Sequence, residues 1–231
     1  MPPMAHAPLV VAFDLDGTLV DTAPDLLDAL DHVLHRHGVA PVDRDRSRNM
    51  IGRGGRHLIV RALEQVGVAP SPEELDEMVR QFLAYYTDHI ADGSRPFPGM
   101  VEALEQLAAD GATLAVCTNK LERLARILLD RLDLTRHFTV ITGADTYARS
   151  KPDPLPLLST ITACGGSLAA AAMVGDSATD IATAKAAGVP SVAVSFGYTE
   201  VPAAELGADR LIGHYDELVP VLAQLVERVR A

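Results

Sequence analysis

Two aspartates one residue apart, Asp14 and Asp16, close the apolar run Val10-Val11-Ala12-Phe13 and precede the turn Gly17-Thr18. Carboxylates this close repel each other unless a cation stands between them or one holds a proton. A buried strand has no structural use for such repulsion at its end. The arrangement suits a site that binds a hard divalent cation and does chemistry with a carboxylate. Gly17 lets the chain turn with its backbone close to a bound group.

The elements that must position these residues are legible from the hydrophobic period. Short apolar runs at 9–13, 113–117, 139–142, 171–174 and 191–195 read as strands, with a further short one at 210–212. Amphipathic stretches at 24–37, 101–109, 121–132, 155–164 and 179–187 read as helices between most of them, and 215–230 as a closing helix. Gly38, Gly111 and Gly188 stand where helix C-terminal caps belong. This alternation predicts an α/β fold, a Rossmann-like parallel sheet core with helices on both faces. From about residue 23 to residue 95 the strand pattern stops, and helical stretches at 55–65 and 71–90 take its place. The second opens with Ser71-Pro72-Glu73-Glu74, a capping box with proline at the first helical position. The expected organisation is therefore a catalytic core of residues 1–21 and 96–231, with an all-helical cap of residues 22–95 inserted after the first strand. The edges of this insert, 21–23 and 93–99, are the hinge candidates for a lid, the latter with Pro96, Pro98 and Gly99.

Open α/β sheets bind ligands beyond the carboxyl ends of their strands. Thr118-Asn119-Lys120 follows the second core strand, Ser150-Lys151-Pro152 lies beyond the third, and Gly175-Asp176-Ser177 follows the fourth, with Asp180 shortly after. Each loop supplies a group that phosphoryl transfer needs. A helix N-terminus at Thr118 and Asn119 suits an anion, and Lys151 offers a point positive charge. Lys120 reads as a solvated lysine at a helix start.

Asp14-Leu15-Asp16-Gly17-Thr18-Leu19-Val20-Asp21 resembles the first motif of the haloacid dehalogenase superfamily, in the form its phosphatases carry. Thr118, Lys151 and Asp176 follow in the order of the superfamily's other motifs. The resemblance implies that Asp14 is the nucleophile and forms an aspartyl phosphate. Asp16 is then the general acid/base. The dehalogenase branch lacks this second aspartate, so its presence favours phosphate chemistry. Mg2+ is the implied cofactor, held by Asp14, Asp176 and the backbone carbonyl of Asp16. Gly17, Thr118, Asn119 and Lys151 are the expected phosphate contacts. Asp180 is expected behind them, holding a water or Lys151.

In the cap, Gly52-Arg53-Gly54-Gly55-Arg56 combines loop freedom with a group suited to a carboxylate or phosphate, which makes Arg53 a substrate-binding candidate. Arg44, Arg46 and Arg48 read as a solvated face, as do His32, His35 and His37. Cap position and length, Arg149-Ser150-Lys151-Pro152, Phe196-Gly197-Tyr198 and Glu205-Leu206-Gly207-Ala208-Asp209 resemble bacterial phosphoglycolate phosphatases. That implies hydrolysis of a small phosphorylated metabolite, 2-phosphoglycolate. The same framework serves pyrophosphatases, N-acetylmuramate 6-phosphate phosphatases and phosphosugar mutases of the β-phosphoglucomutase type. A non-catalytic binding module is disfavoured, because nucleophile, acid/base, lysine and distal aspartate are all present.

Composition narrows the partners. The chain has 231 residues, 48% hydrophobic, and a net charge of −11, which disfavours a nucleic-acid partner. Cys117 and Cys164 lack metal or disulfide spacing and read as free thiols in a reducing compartment. Residues 1–8 lack a signal-like pattern and no run is long enough to span a membrane, so a cytoplasmic protein is expected. Monomer and homodimer both fit.

Overall fold

A computed structural model describes residues 8–230 of the protein. Residues 1–7, on which most of the signal-peptide reading falls, lie outside that range. The central feature is a six-stranded parallel sheet. Its strands are β1 (Val10–Phe13), β4 (Thr113–Cys117), β5 (Val140–Thr142), β6 (Ala171–Gly175), β7 (Ser191–Val194) and β8 (Arg210–Ile212), in the order β5-β4-β1-β6-β7-β8. β1 is fully buried and apolar on both faces, as a strand between two helical layers must be. The order turns at β1, whose neighbours are β4 and β6. This is the switch point where open sheets form their ligand crevice.

Register then sets the site. Phe13 pairs with Val116 on one side and Val174 on the other, so all three strands run out together. Asp14, Thr118 and Asp176 leave the sheet within a residue of one another. Neighbouring strands lie about 4.8 Å apart, which places the three loops side by side.

Between the first two core strands the chain forms an antiparallel ribbon of two short strands, β2 (Val20–Asp21) and β3 (Arg95–Pro96), with four helices between them. These are α1 (Ala23–Arg36), α2 (Arg44–Arg48), α3 (Gly55–Gln65) and α4 (Pro72–Asp88). The capping box at Ser71 and Glu74 forms as its sequence implies. The short α2, capped by Asp43, has no counterpart in the sequence reading. α1 and α4 pack through Leu27, Leu30 and Leu34 on one side and Met78, Phe82 and Tyr86 on the other. The core helices are α5 (Met100–Ala109), α6 (Glu122–Arg131), α7 (Leu155–Ala163), α8 (Ala178–Ala187) and α9 (Leu218–Arg230). Gly38, Gly111 and Gly188 all take positive φ at helix ends. No helix among the described residues is long and apolar enough to cross a membrane.

Arg44, Arg46, His35 and His37 are exposed as expected, Arg44 pairing with Asp28 and Asp31 at the surface, but two groups read as solvated need correction. Arg48 is half-buried and lies 4.9 Å over the Tyr198 ring. His32 is half-buried and stacks on Tyr85 at 4.1 Å. In each case a partner on another element, invisible in local spacing, captures the side chain.

Asp25, in the first turn of α1, ties the two ends of the helical segment together. Its carboxylate is 3% exposed and accepts from Gly93 N (2.6 Å), Ser94 N (2.8 Å) and Ser94 Oγ (2.5 Å). Replacing it strands two backbone donors close to the core. Asp25→Ala is expected to cost about 2–4 kcal/mol of unfolding free energy. Urea denaturation of wild type and variant checks this, and a loss under about 0.5 kcal/mol would contradict it.

Candidate active site

At the strand ends, three carboxylates and one ammonium group share a dry pocket. Asp14, Asp176 and Asp180 each offer an oxygen, and these oxygens lie within 4.8 Å of one another. Lys151 Nζ stands 3.0 Å from Asp14 Oδ1 and donates to Asp180 Oδ1 at 2.5 Å. All four residues are at most 4% exposed. With every group ionised, three negative charges face one positive charge, and burial makes that surplus costly.

The titration behaviour follows from this surplus. Burial pushes the Asp14 carboxyl up to about 6, against the pull of Lys151, and the charges of Asp180 and Asp16 add to the rise. Asp176 is driven well above the usual carboxylate range by burial and then by Asp180 and Asp14. Burial opposes the charge on Lys151, yet Asp14 and Asp180 hold its pKa above the ordinary lysine value.

The carboxylates are fixed from behind. Asp176 accepts from Thr18 Oγ1 (2.9 Å) and Tyr198 N (2.6 Å), so both its oxygens are oriented. Gly17 has φ +83°, and a Cβ there would strike Asp176. A Cβ at Gly197 would strike Asp176 as well. Asp180 caps α8 through Ser177, accepting from its N (3.0 Å) and Oγ (2.6 Å). With Lys151 on its other oxygen, Asp180 is occupied as a support for the lysine.

The donor set fits a hard cation. Asp14 Oδ1 is buried and makes no aligned hydrogen bond among the described residues, although Lys151 lies within ion-pair distance. An all-oxygen set with surplus negative charge suits a hard divalent cation better than a softer ion.

Asp16 lies apart from this cluster. Its side chain faces Lys120 Nζ (2.8 and 3.1 Å) and Thr22 Oγ1 (2.7 Å). Lys120 is 7% exposed, which corrects the expectation of a solvated lysine. α6 begins only at Glu122, so Lys120 belongs to the strand-end loop and turns inward. Burial disfavours its charge, but Asp16 and then Tyr86 hold its pKa above the ordinary value. Tyr86 of α4 places its ring 4.6 Å from Lys120 Nζ, and no local signal in the sequence points to this contact. Thr18 and Tyr198 are equally hidden, because their partner is distant in the chain.

Thr118 is 4% exposed, and its Oγ1 accepts from Lys120 N at 3.2 Å. Asn119 donates to Lys151 O at 3.1 Å and to Gly52 O at 3.4 Å, joining two core loops to the α2–α3 loop. Arg53 in that loop is exposed and lines a cavity of about 330 Å³ whose wall also includes Asp14, Asp16, Thr118 and Asn119. The structure thus gathers Asp14, Asp16, Gly17, Thr118, Asn119, Lys151, Asp176 and Asp180 around one crevice, with Arg53 at its rim.

Comparison with known proteins finds relatives over nearly the whole chain. A family described as haloacid dehalogenase-like hydrolase matches residues 11–194. A phosphoglycolate phosphatase of Mesorhizobium japonicum is 47% identical over 219 residues, covering 95% of this chain and 96% of the relative. An N-acetylmuramic acid 6-phosphate phosphatase of Pseudomonas aeruginosa is 36% identical over 214 residues, covering 92% and 93%. The crystal structure of a predicted phosphoglycolate phosphatase from Haemophilus somnus superimposes with a TM-score of 0.86 at 28% identity, covering 93% of this chain and 97% of that one. With its strand-end carboxylates, its lysine and this match over most of its length, the chain belongs to the haloacid dehalogenase-like hydrolase family.

Proposed function

We propose that the protein is a Mg2+-dependent phosphomonoester hydrolase whose preferred substrate is 2-phosphoglycolate. The observation that carries the chemistry is Asp14 at the end of β1, its carboxylate 3.0 Å from Lys151 and lining the cavity, with the oriented carboxylate of Asp176 beside it. The substrate assignment is supported by the phosphoglycolate phosphatase that is 47% identical over nearly the whole chain.

In this reading Asp14 attacks phosphorus in line and the ester P–O bond breaks, leaving an aspartyl phosphate. Asp16 gives a proton to the departing alkoxide. It then takes one from the water that attacks the phosphoryl group, which releases phosphate and restores Asp14. Thr118, the Asn119 backbone, Gly17 and Lys151 hold the phosphoryl oxygens. Asp14, Asp176 and the Asp16 carbonyl would hold Mg2+, which supplies positive charge against which two anions can approach. Residues 22–95 act as a cap over the core of residues 1–21 and 96–231, and Arg53 meets the substrate carboxylate. The relative that acts on N-acetylmuramic acid 6-phosphate favours a second reading, the same hydrolysis on a larger acid.

Free phosphate released from 2-phosphoglycolate is the direct assay, and it also separates a hydrolase from a mutase. Asp16→Asn is expected to slow turnover by about 10²–10⁴-fold. Asp14→Asn is expected to remove turnover altogether. Wild-type rates in a clean preparation of Asp14→Asn would sink the mechanism.

A second expectation concerns pH. Folding raises the Asp14 pKa from 3.8 to about 6, so between those values the metal-free fold keeps a proton that the unfolded chain has released. This contribution to stability is complete below pH 3.8 and is lost as pH rises through about 6. Mg2+ requires the ionised carboxylate and so competes with that proton. The Mg2+-induced rise in Tm is therefore expected to be larger at about pH 7.5 than at about pH 5. Equal shifts in scanning calorimetry at the two pH values would contradict this.

A further inference from the structure

The loop Phe196-Gly197-Tyr198, just beyond β7, supplies no group to the phosphoryl chemistry, yet it grips both connections between the sheet and the helical segment. Phe196 packs its ring 4.6 Å from that of Phe97, the residue after β3. The Tyr198 hydroxyl accepts at 2.9 Å from the backbone N of Ala23, the first residue of α1. It donates to Asp21, the last residue of β2. Arg48 of α2 covers the same ring from 4.9 Å and reaches Asp21 at 3.6 Å. Tyr198 is 1% exposed, so its hydroxyl has been taken out of water and spends both its bonds on the base of the helical segment.

The other end of this residue holds the carboxylate cluster. Tyr198 N donates to Asp176 Oδ2 at 2.6 Å. No slack lies between the two ends. A Cβ at Gly197 would collide with Asp176 and with the Gly17 carbonyl, and one at Gly17 would stand 2.8 Å from the Tyr198 ring. Groups packed this closely do not shift independently of one another. Tyr198 is therefore a strut that runs from Asp176 to the residues that begin the helical segment.

We propose that Tyr198 is a positioning residue through which a divalent cation at Asp176 and the base of the helical segment stabilise each other. The inference rests on the Mg2+ reading above. A cation needs the Asp176 carboxylate in one orientation, and Tyr198 N fixes that orientation. With its hydroxyl held by Asp21 and Ala23, Tyr198 is already in place, so less ordering remains for the cation to impose. Linkage makes the effect reciprocal. The factor by which the hydroxyl strengthens cation binding is the factor by which the cation strengthens the hydroxyl's hold on Ala23 and Asp21.

The test titrates the full chain with Mg2+ alone, without substrate, in a calorimeter at about pH 7.5. Tyr198→Phe keeps the ring and the backbone donor and removes only the hydroxyl. It is expected to weaken Mg2+ binding about five- to tenfold. Asp21→Ala, which removes the hydroxyl's acceptor, is expected to weaken it about threefold or more. Asp209→Ala loosens the opposite end of β7, where Asp209 accepts from Ser191 N at 2.8 Å and Ser191 Oγ at 2.9 Å. That variant is expected to bind Mg2+ within about twofold of wild type, because its site is remote from the strut. The second readout is hydrogen exchange at the Ala23 amide. Saturating Mg2+ is expected to slow it about five- to tenfold in wild type and less than about twofold in Tyr198→Phe. Equal Mg2+ affinity in wild type and Tyr198→Phe, or an Ala23 amide indifferent to Mg2+ in wild type, overturns the coupling and leaves the phosphatase reading standing. Equal weakening by Asp209→Ala overturns it too, since general loosening then accounts for the loss. Should Tyr198→Phe fail to fold, Asp21→Ala and the wild-type exchange decide the matter. A wild-type chain that binds no Mg2+ overturns both the coupling and the metal reading beneath it.

Discussion

Surplus negative charge in a dehydrated pocket is the constraint on which the rest of this structure depends. Asp14, Asp176 and Asp180 are gathered around a single lysine, and no fold places such a group in its interior for stability. Everything around the cluster holds it in place. Thr18 and the Tyr198 backbone orient Asp176, Ser177 and Lys151 occupy Asp180, and two glycines make room where a Cβ would collide. Of the three, Asp14 alone accepts no aligned hydrogen bond from the described residues, although Lys151 stands 3.0 Å away. That asymmetry sets Asp14 apart from the two supporting carboxylates. Burial and mutual repulsion raise the pKa values of Asp14 and Asp176, as at sites that trade stability for function.

The sheet makes the cluster possible at low cost. Three parallel strands that end in register deliver their loops to one edge, and the reversal of strand order at β1 opens a crevice there. The helical segment leaves and returns through the β2–β3 ribbon directly beside Asp16. Tyr198 reinforces this junction by accepting from Ala23 N at 2.9 Å and contacting Asp21. The loop that orients Asp176 therefore also fixes the start of α1. Lys120 and Tyr86 provide a second link, from Asp16 to α4.

Much of the fold was readable because the strands are continuous apolar runs and their helices are amphipathic, a pattern that survives without tertiary context. β4, α3 and β8 coincide with the stretches read from period alone. Asp14, Lys151 and Asp176 were readable because polar groups at the ends of buried strands have few structural uses. Contacts between distant elements were not readable. Lys120 follows a strand and precedes a helix, where local pattern favours solvent, and only the approach of Asp16 and Tyr86 turns it inward. Asp25 looks like an ordinary first-turn acid, yet its partners are at the far end of the helical segment. Tyr86 lies on an apolar stripe that reads as core packing, and its contact with Lys120 becomes apparent only in the fold.

The central claim is that Asp14 takes the phosphoryl group from the substrate. Rapid quenching during turnover, followed by borohydride reduction, converts an aspartyl phosphate to homoserine, which mass spectrometry of the peptides locates. The account predicts homoserine at position 14 in the presence of substrate and Mg2+, and none when substrate is omitted. Homoserine at another position, or its absence from every peptide while phosphate is being released and a known aspartyl-phosphate enzyme is trapped in parallel, would contradict it.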